Sequence, residues 1–313
     1  MKKVLCIGGG TGQSALLKGL KQIEGIELST VVATADDGGS TGQLRSVFNL
    51  PAMGDVRNVM VALADSEDLM TKIMNHRFDS NSGQLSGHNL GNIIISALAI
   101  DGKDFYRAVV ELCRILRVKG KVYPSTIQSV TLKGHMKDGS IVSGETQIRE
   151  SNKQVVSVFY DEQVSTYPQL LKAIEEADYI IVGIGSLFTS ILPNIIIDDI
   201  RNALCKCEGK VIYYCNIMTE KGETDSYSVE QHVEAIHKHI GAEIVDAVVI
   251  SNDIFPDSVI KSYSLEEAEI VRLAEEKHKY RVYRHSLLTF DRNLVRHDPA
   301  KVRDSFLEIM RDM

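Results

Sequence analysis

Apolar and polar positions along this chain follow two periods in turn, and their order is that of a doubly wound α/β protein. Residues 4–7 form a short apolar run that stops at Gly8, Gly9, Gly10, Thr11 and Gly12, the pattern of a buried strand followed by a tight turn. Leu16, Leu20 and Ile23 then recur at helical spacing, with Gly25 as a stop, so strand, loop and helix open a βαβ unit. A second strand, residues 30–35, ends in Asp36, Asp37, Gly38 and Gly39. Residues 59–64 and 93–100 are apolar helices, one entered through Gly54, Asp55, Arg57 and Asn58, the other through His88, Asn89, Gly91 and Asn92.

From about 121 to 160 the residues alternate in the β manner, and Asp138-Gly139 predicts a hairpin turn between strands at 130–136 and 141–148. The pattern predicts that this is a β-rich insertion in a single Rossmann-like domain spanning 1–313, with a mostly parallel sheet. Parallel-type strands resume at 179–182, ending in Gly183, Gly185 and Ser186, at 211–215, ending in Asn216, and at 245–250, ending in Asn252 and Asp253. A charged surface helix is expected over 265–279, a short strand near 280–283 and a last helix over 300–313.

Composition narrows the class. With 44% hydrophobic and 25% charged residues over 313 positions, the chain is an ordinary globular one. A formal net charge of -7 opposes any broad attraction to nucleic acid or anionic membrane, so no nucleic-acid partner is expected. The opening Met-Lys-Lys-Val-Leu-Cys runs straight into a glycine turn, and no apolar run reaches spanning length, which predicts a cytoplasmic protein without membrane insertion. Five cysteines without a CxxC pair give neither a disulfide framework nor zinc spacing. His232, His237 and His239 share a helix but lack the i, i+4 spacing of a zinc pair, and are expected at the surface.

The chemistry gathers at the strand ends, where ligands bind in open parallel sheets. Gly8, Gly9, Gly10, Thr11 and Gly12 offer backbone N–H groups free of side chains ahead of a helix N-terminus, which suits phosphate. The segment is neither a complete GxGxxG, since Gln13 stands where the last glycine belongs, nor a Walker A loop, and this disfavours a nicotinamide-dependent oxidoreductase. Asp36 and Asp37 suit either a ribose or a Mg²⁺ ion held against phosphates. Gly38, Gly39, Ser40 and Thr41 extend them into a second anion cradle. Asp55, Arg57 and Asn58 combine a phosphate-gripping cation with a carboxylate able to complete a metal shell. His88, Asn89 and Asn92 place a titratable ring at a helix start. Gly185, Ser186 and Thr189 repeat the strand, glycine, hydroxyl order of the first loop, so the expected ligand is phosphorylated along its length: a dinucleotide or a nucleotide-sugar.

Together, Gly8 to Gly12, Asp36-Asp37-Gly38-Gly39-Ser40-Thr41-Gly42, Gly54-Asp55-Val56-Arg57-Asn58 and His88-Asn89-Leu90-Gly91-Asn92 resemble the YvcK-like gluconeogenesis factor family, related to the 2-phospho-L-lactate transferases (CofD-like). The resemblance continues through Gly144-Glu145, Gly185-Ser186-Leu187, Thr189-Ser190, Pro193-Asn194 and Asn216-Ile217-Met218-Thr219, and departs at Ile184, where proline is expected. It implies a Rossmann-like fold, a homo-oligomer such as a dimer, and a nucleotide-sugar or dinucleotide ligand. The role it implies is growth and cell shape on gluconeogenic carbon sources. By the same resemblance Asp36, Asp37 and Asp55 hold Mg²⁺ or phosphate, and His88, Asn89 and Asn92 line the pocket. The alternative it carries is a Mg²⁺-dependent transferase of the 2-phospho-L-lactate type.

Overall fold

The run at residues 4–7 becomes part of the central strand because it is apolar on both faces. Val4 and Cys6 face one core layer and Leu5 and Ile7 the other, all four fully buried. The computed structural model describes residues 1–65, 68–291 and 294–313. Seven parallel strands form the main sheet. They are β1 (Lys2–Gly8), β2 (Ile26–Val32) and β3 (Lys121–Pro124), then, after three strands of a smaller sheet, β7 (Tyr179–Val182), β8 (Lys210–Tyr214), β9 (Ala247–Ser251) and β10 (Arg281–His285). Their spatial order is β3-β2-β1-β7-β8-β9-β10. The chain winds outward one way from β1 to β3, then the other way from β7 to β10. The gap at the carboxyl ends of β1 and β7 is therefore the topological switch point, where a doubly wound sheet opens a crevice.

Helices cover both faces. Between β1 and β3 come α1 (Gly10–Leu20), α2 (Gly39–Phe48), α3 (Gly54–Leu63), α4 (Asp68–Asn75), α5 (Leu90–Gly102) and α6 (Phe105–Ile115). The excursion after β3 contains α7 (Glu145–Glu150), and α8 (Pro168–Glu175) leads into β7. A wide helical turn at Leu187–Ile191 follows β7 and runs into α9 (Leu192–Ile195), α10 (Asp198–Lys206) and, beyond β8, α11 (Val229–Ile240). After β9 comes α12 (Asp257–Leu265), and α13 (Pro299–Asp312) closes the chain against α1. No helix among the described residues is long and apolar enough to cross a membrane.

Three regions differ from the sequence pattern. Lys121–Pro124 belongs to the main sheet, paired with β2, so the excursion proper is the antiparallel trio β4 (Lys133–Met136), β5 (Ile141–Ser143) and β6 (Val155–Phe159), ordered β5-β4-β6. The Asp138-Gly139 turn forms as expected, with Gly139 at φ +84, but the strand predicted over 141–148 stops at Ser143. Gly144 then takes φ +99, and the Asp37 carboxylate accepts the Thr146 N–H at 2.9 Å, starting a helix instead. The charged helix predicted over 265–279 is absent: α12 ends at Leu265, and beyond it the chain lies extended along another segment. Glu269 accepts the Thr219 N–H, and the Val271 N–H goes to Ile217. Those partners supply the bonds that a helix would have made internally. Finally, β11 (Leu288–Asp291) and β12 (Leu294–His297) form a small hairpin. His232 is buried rather than at the surface, its Nδ1 2.8 Å from the Ser228 carbonyl, and His239 Nε2 accepts the Val158 N–H at 3.1 Å.

Candidate functional site: a cleft at the switch point

The loop after β1 and the loop after β7 pack against each other, and their glycines are what let them do so. A Cβ on Gly12 would stand 2.9 Å from Ile184 Cγ2 and 3.0 Å from the Ile184 carbonyl oxygen. Gly10 turns the chain into α1 with φ +68. Buried Asn194 ties the loops together from behind, donating to the carbonyls of Gly8 at 3.1 Å and Ser190 at 2.9 Å. The Gly183–Ile184 peptide bond is cis.

Above this floor opens a cleft of about 680 Å³, lined by Gly9, Gly10, Thr11 and Gly12 from one loop and by Gly185, Ser186, Thr189 and Ser190 from the other, together with Asp36, Asp55 and Asn216. Its size suits a small-molecule ligand. Asp55 sits in the first turn of α3, and its Oδ2 accepts the Gly10 N–H at 2.7 Å. Burial, reinforced by neighbouring Asp36, pushes the Asp55 carboxyl up to about 6 although the Gly10 bond opposes it. Burial likewise raises Asp36, whose Oδ1 accepts the Gly38 N–H at 2.9 Å. Asp37, next in sequence, does not line the cleft; it anchors α7 through Thr146.

The remaining residues singled out in the sequence form a hydrogen-bonded layer next to Asp55. The Arg57 guanidinium donates to Asn92 Oδ1 at 3.1 Å and to Asn58 Oδ1, and Asn58 donates on to Asp55 Oδ1 at 3.4 Å. Asn92 donates to Ser40 Oγ and Thr41 Oγ1, while Asn89 caps α5 by accepting the Asn92 N–H at 3.1 Å. His88 Nδ1 lies 3.3 Å from Ser40 Oγ. Gly38 and Gly39 carry this layer into α2. Ser40, Thr41, Arg57, Asn89 and Asn92 are all buried. The sequence motifs thus separate into residues that face the cleft and residues that hold Asp55 and α5 in place.

Much of the rest of the cleft had no role assigned from the sequence, although Glu145 and residues 217–219 stand in the motifs of the family resemblance. Glu145 and Arg149 on α7 line one wall, joined by Glu220 and Glu223 from the segment after β8. Glu223 accepts from Thr189 Oγ1 at 2.8 Å and from the Phe188 N–H at 3.1 Å, and Glu220 accepts from Ser186 Oγ at 2.5 Å. Burial and the nearby Glu220 push the Glu223 carboxyl up to about 8. Burial, with Asp36, Asp55 and Glu223 around it, holds Glu145 well above the usual range. The lining also holds Ile217, Met218, Tyr263, Ala268, Val295, Arg296 and His297. Asn216 lies beneath, donating to the Gly185 carbonyl at 2.9 Å. A signal existed for 216–223, which follows a strand end. None existed for Tyr263 or His297, which arrive from the tail by folding alone.

A parallel sheet in Rossmann order with glycine-hydroxyl loops meeting at its switch point defines a Rossmann-like α/β protein with a polar cleft at that point. The family profile described as 2-phospho-L-lactate transferase CofD matches residues 4–288, and the chain belongs to that family. It is 39% identical to the gluconeogenesis factor of Bacillus subtilis over 99% of this chain and 98% of that one. It is 40% identical to the gluconeogenesis factor of Halalkalibacterium halodurans, over 98% and 96%. A crystal structure of a Bacillus halodurans protein described as a member of the upf0052 family superposes with a TM-score of 0.94 at 38% identity, covering 98% of this chain and 100% of that one.

Proposed function

We propose that the cleft binds a nucleoside-diphosphate compound, a nucleotide-sugar or a dinucleotide, and that the chain serves as a regulatory factor for growth and cell shape on gluconeogenic carbon sources. One observation carries the ligand reading: the two glycine-hydroxyl loops at the carboxyl ends of β1 and β7 line the same cleft. The α1 N-terminus offers amide donors to one phosphate, and the second loop provides hydroxyls within reach of the same molecule. The gluconeogenic part of that role rests on the relatives' names, gluconeogenesis factor, and the cell-shape part on what the family resemblance implies.

A diphosphate needs a cation in this cleft, because among the described residues Asp36, Asp55, Glu145, Glu220, Glu223 and Glu266 face only Arg149, Lys221 and Arg296. Among the described residues no three acidic, cysteine or histidine side chains are grouped as a ready-made metal cage. Two carboxylates with raised proton affinity do fit Mg²⁺, which takes one or two carboxylates plus phosphate oxygens and water. Asp36 and Asp55 would hold the ion, and the ion would neutralise the diphosphate.

The test is a thermal-shift series with Mg²⁺. A uridine diphosphate sugar at about one hundred times its dissociation constant should add roughly 2.7 kcal/mol, while uridine and free sugar add almost nothing. Absence of a shift with every diphosphate refutes the ligand reading. A second reading, Mg²⁺-dependent transfer of the 2-phospho-L-lactate type, is favoured by the CofD profile and by the raised carboxyls within the cleft. It expects a guanosine diphosphate compound to give the larger shift and a deazaflavin to add to it.

A further inference from the structure

Two parts of the cleft lining differ in chemistry. One carries carboxyls: Glu145, Glu220 and Glu223. The other is mostly apolar, with Ile217, Met218, Tyr263 and Val295, and it contains His297, which is 7% exposed and whose Nε2 has no hydrogen-bond partner. Burial lowers His297 to about 4, so the ring is neutral and carries one unsatisfied polar atom in a lining that also holds Tyr263 and Val295. A heterocyclic base fits that wall: it supplies a planar apolar face and edge groups for a lone imidazole nitrogen. The carboxyls of the first part have lone pairs to spare. Glu145 makes no side-chain hydrogen bond among the described residues, and Glu220 and Glu223 are bonded to the hydroxyls of the second loop.

We infer that the wall formed by Glu145, Glu220 and Glu223 receives the sugar of a nucleoside-diphosphate sugar, accepting hydrogen bonds from its hydroxyls and excluding sugars that carry a carboxylate. The inference rests on the nucleotide-sugar reading above and adds which half of the cleft reads the sugar. Sugar hydroxyls are donors, and carboxylates are pure acceptors that can take two of them at once. Once these carboxyls ionise, a uronate would instead bring a further carboxylate against them, with Asp36 and Asp55 close by and Arg149 and Lys221 as the cations beside them in the lining. Like charges set together in a confined site are costly, and this is a common way of rejecting a near-identical ligand.

The experiment is calorimetric titration of the full chain with UDP-glucose, UDP-glucuronate and UDP, each with Mg²⁺, at about pH 8.5, above the value near 8 to which Glu223 is raised. UDP-glucose should bind more tightly than UDP, and UDP-glucuronate at least about tenfold more weakly than UDP-glucose. Glu145→Gln and Glu220→Gln should each cut that ratio by roughly threefold or more, because each removes an ionisable carboxyl from the wall and keeps the shape. Equal binding of the two sugars overturns the inference while leaving the nucleotide-sugar reading intact. So does an undiminished ratio in both variants. Failure of all three UDP compounds to bind overturns the nucleotide-sugar reading and this inference with it. Where a variant does not fold, the comparison of the two sugars in the native chain decides alone.

Discussion

Glu223→Gln should make the unliganded protein more stable at neutral pH. The side chain is 1% exposed, and its carboxyl is raised from an ordinary 4.5 to about 8 by burial and by Glu220. In the unfolded chain the group is ionised at pH 7, whereas in the folded chain it holds a proton, so folding must bind a proton that solution at pH 7 gives up reluctantly. At about 1.4 kcal/mol per pH unit, the gap between 4.5 and 7 sets a ceiling of roughly 3 kcal/mol on that cost. Because the folded value is the higher one, native stability is full below about 4.5 and falls as pH rises from there to 8. Glutamine has no proton to bind and keeps the geometry: its carbonyl can accept the Phe188 N–H while its amide donates to Thr189 Oγ1. Urea denaturation of both proteins at pH 5 and pH 8 gives the answer. The expected result is near-equal stability at the lower pH and an advantage of one to a few kcal/mol, about 1–3, for the variant at the higher. A variant less stable than the native chain at pH 8, or an advantage independent of pH, would refute the reasoning. A carboxyl kept at such a cost is the signature of a site rather than of a core.

Gly12→Ala forces a methyl group to within 2.9 Å of Ile184 Cγ2 and pries the two cleft loops apart; a loss of about 1–3 kcal/mol in chemical denaturation is expected, with weaker thermal stabilisation by a diphosphate. Arg57→Lys keeps the charge but cannot bridge Asn92 and Asn58 together, so it should cost roughly 1–3 kcal/mol; full native stability would show that the fork geometry is unimportant. Arg296 is exposed on the cleft and has no ion pair or hydrogen bond among the described residues, so Arg296→Ala should leave stability within about 0.5 kcal/mol. The same variant should weaken diphosphate binding about tenfold and flatten its dependence on salt, measured by titration at low and high ionic strength.

The strand runs of the sequence were enough to assign the parallel sheet, since the part of a strand buried on both faces must be apolar, as residues 4–7 of β1 and all of β7 are. The glycine loops were legible for the same local reason: backbone that approaches other backbone closely cannot carry side chains, as Gly12 against Ile184 shows. Where local pattern competes with tertiary bonds, the pattern loses. Residues 145–148 alternate like a strand but fold as α7 because Asp37, more than a hundred positions earlier, accepts the Thr146 N–H. Residues 266–279 have helical composition, yet they lie extended where residues 217–229 supply their hydrogen bonds. Adjacent in sequence, Asp36 and Asp37 look equivalent; only folding sends one into the cleft and the other to α7. The motif residues Arg57, Asn89 and Asn92 likewise lie buried behind Asp55, whereas Tyr263 and His297, which belong to no local pattern, are carried to the cleft from elements far apart in the chain. Sequence spacing shows which groups a strand end can offer; which of them meet is decided by the order of strands in the sheet and by the layers that close over its switch point.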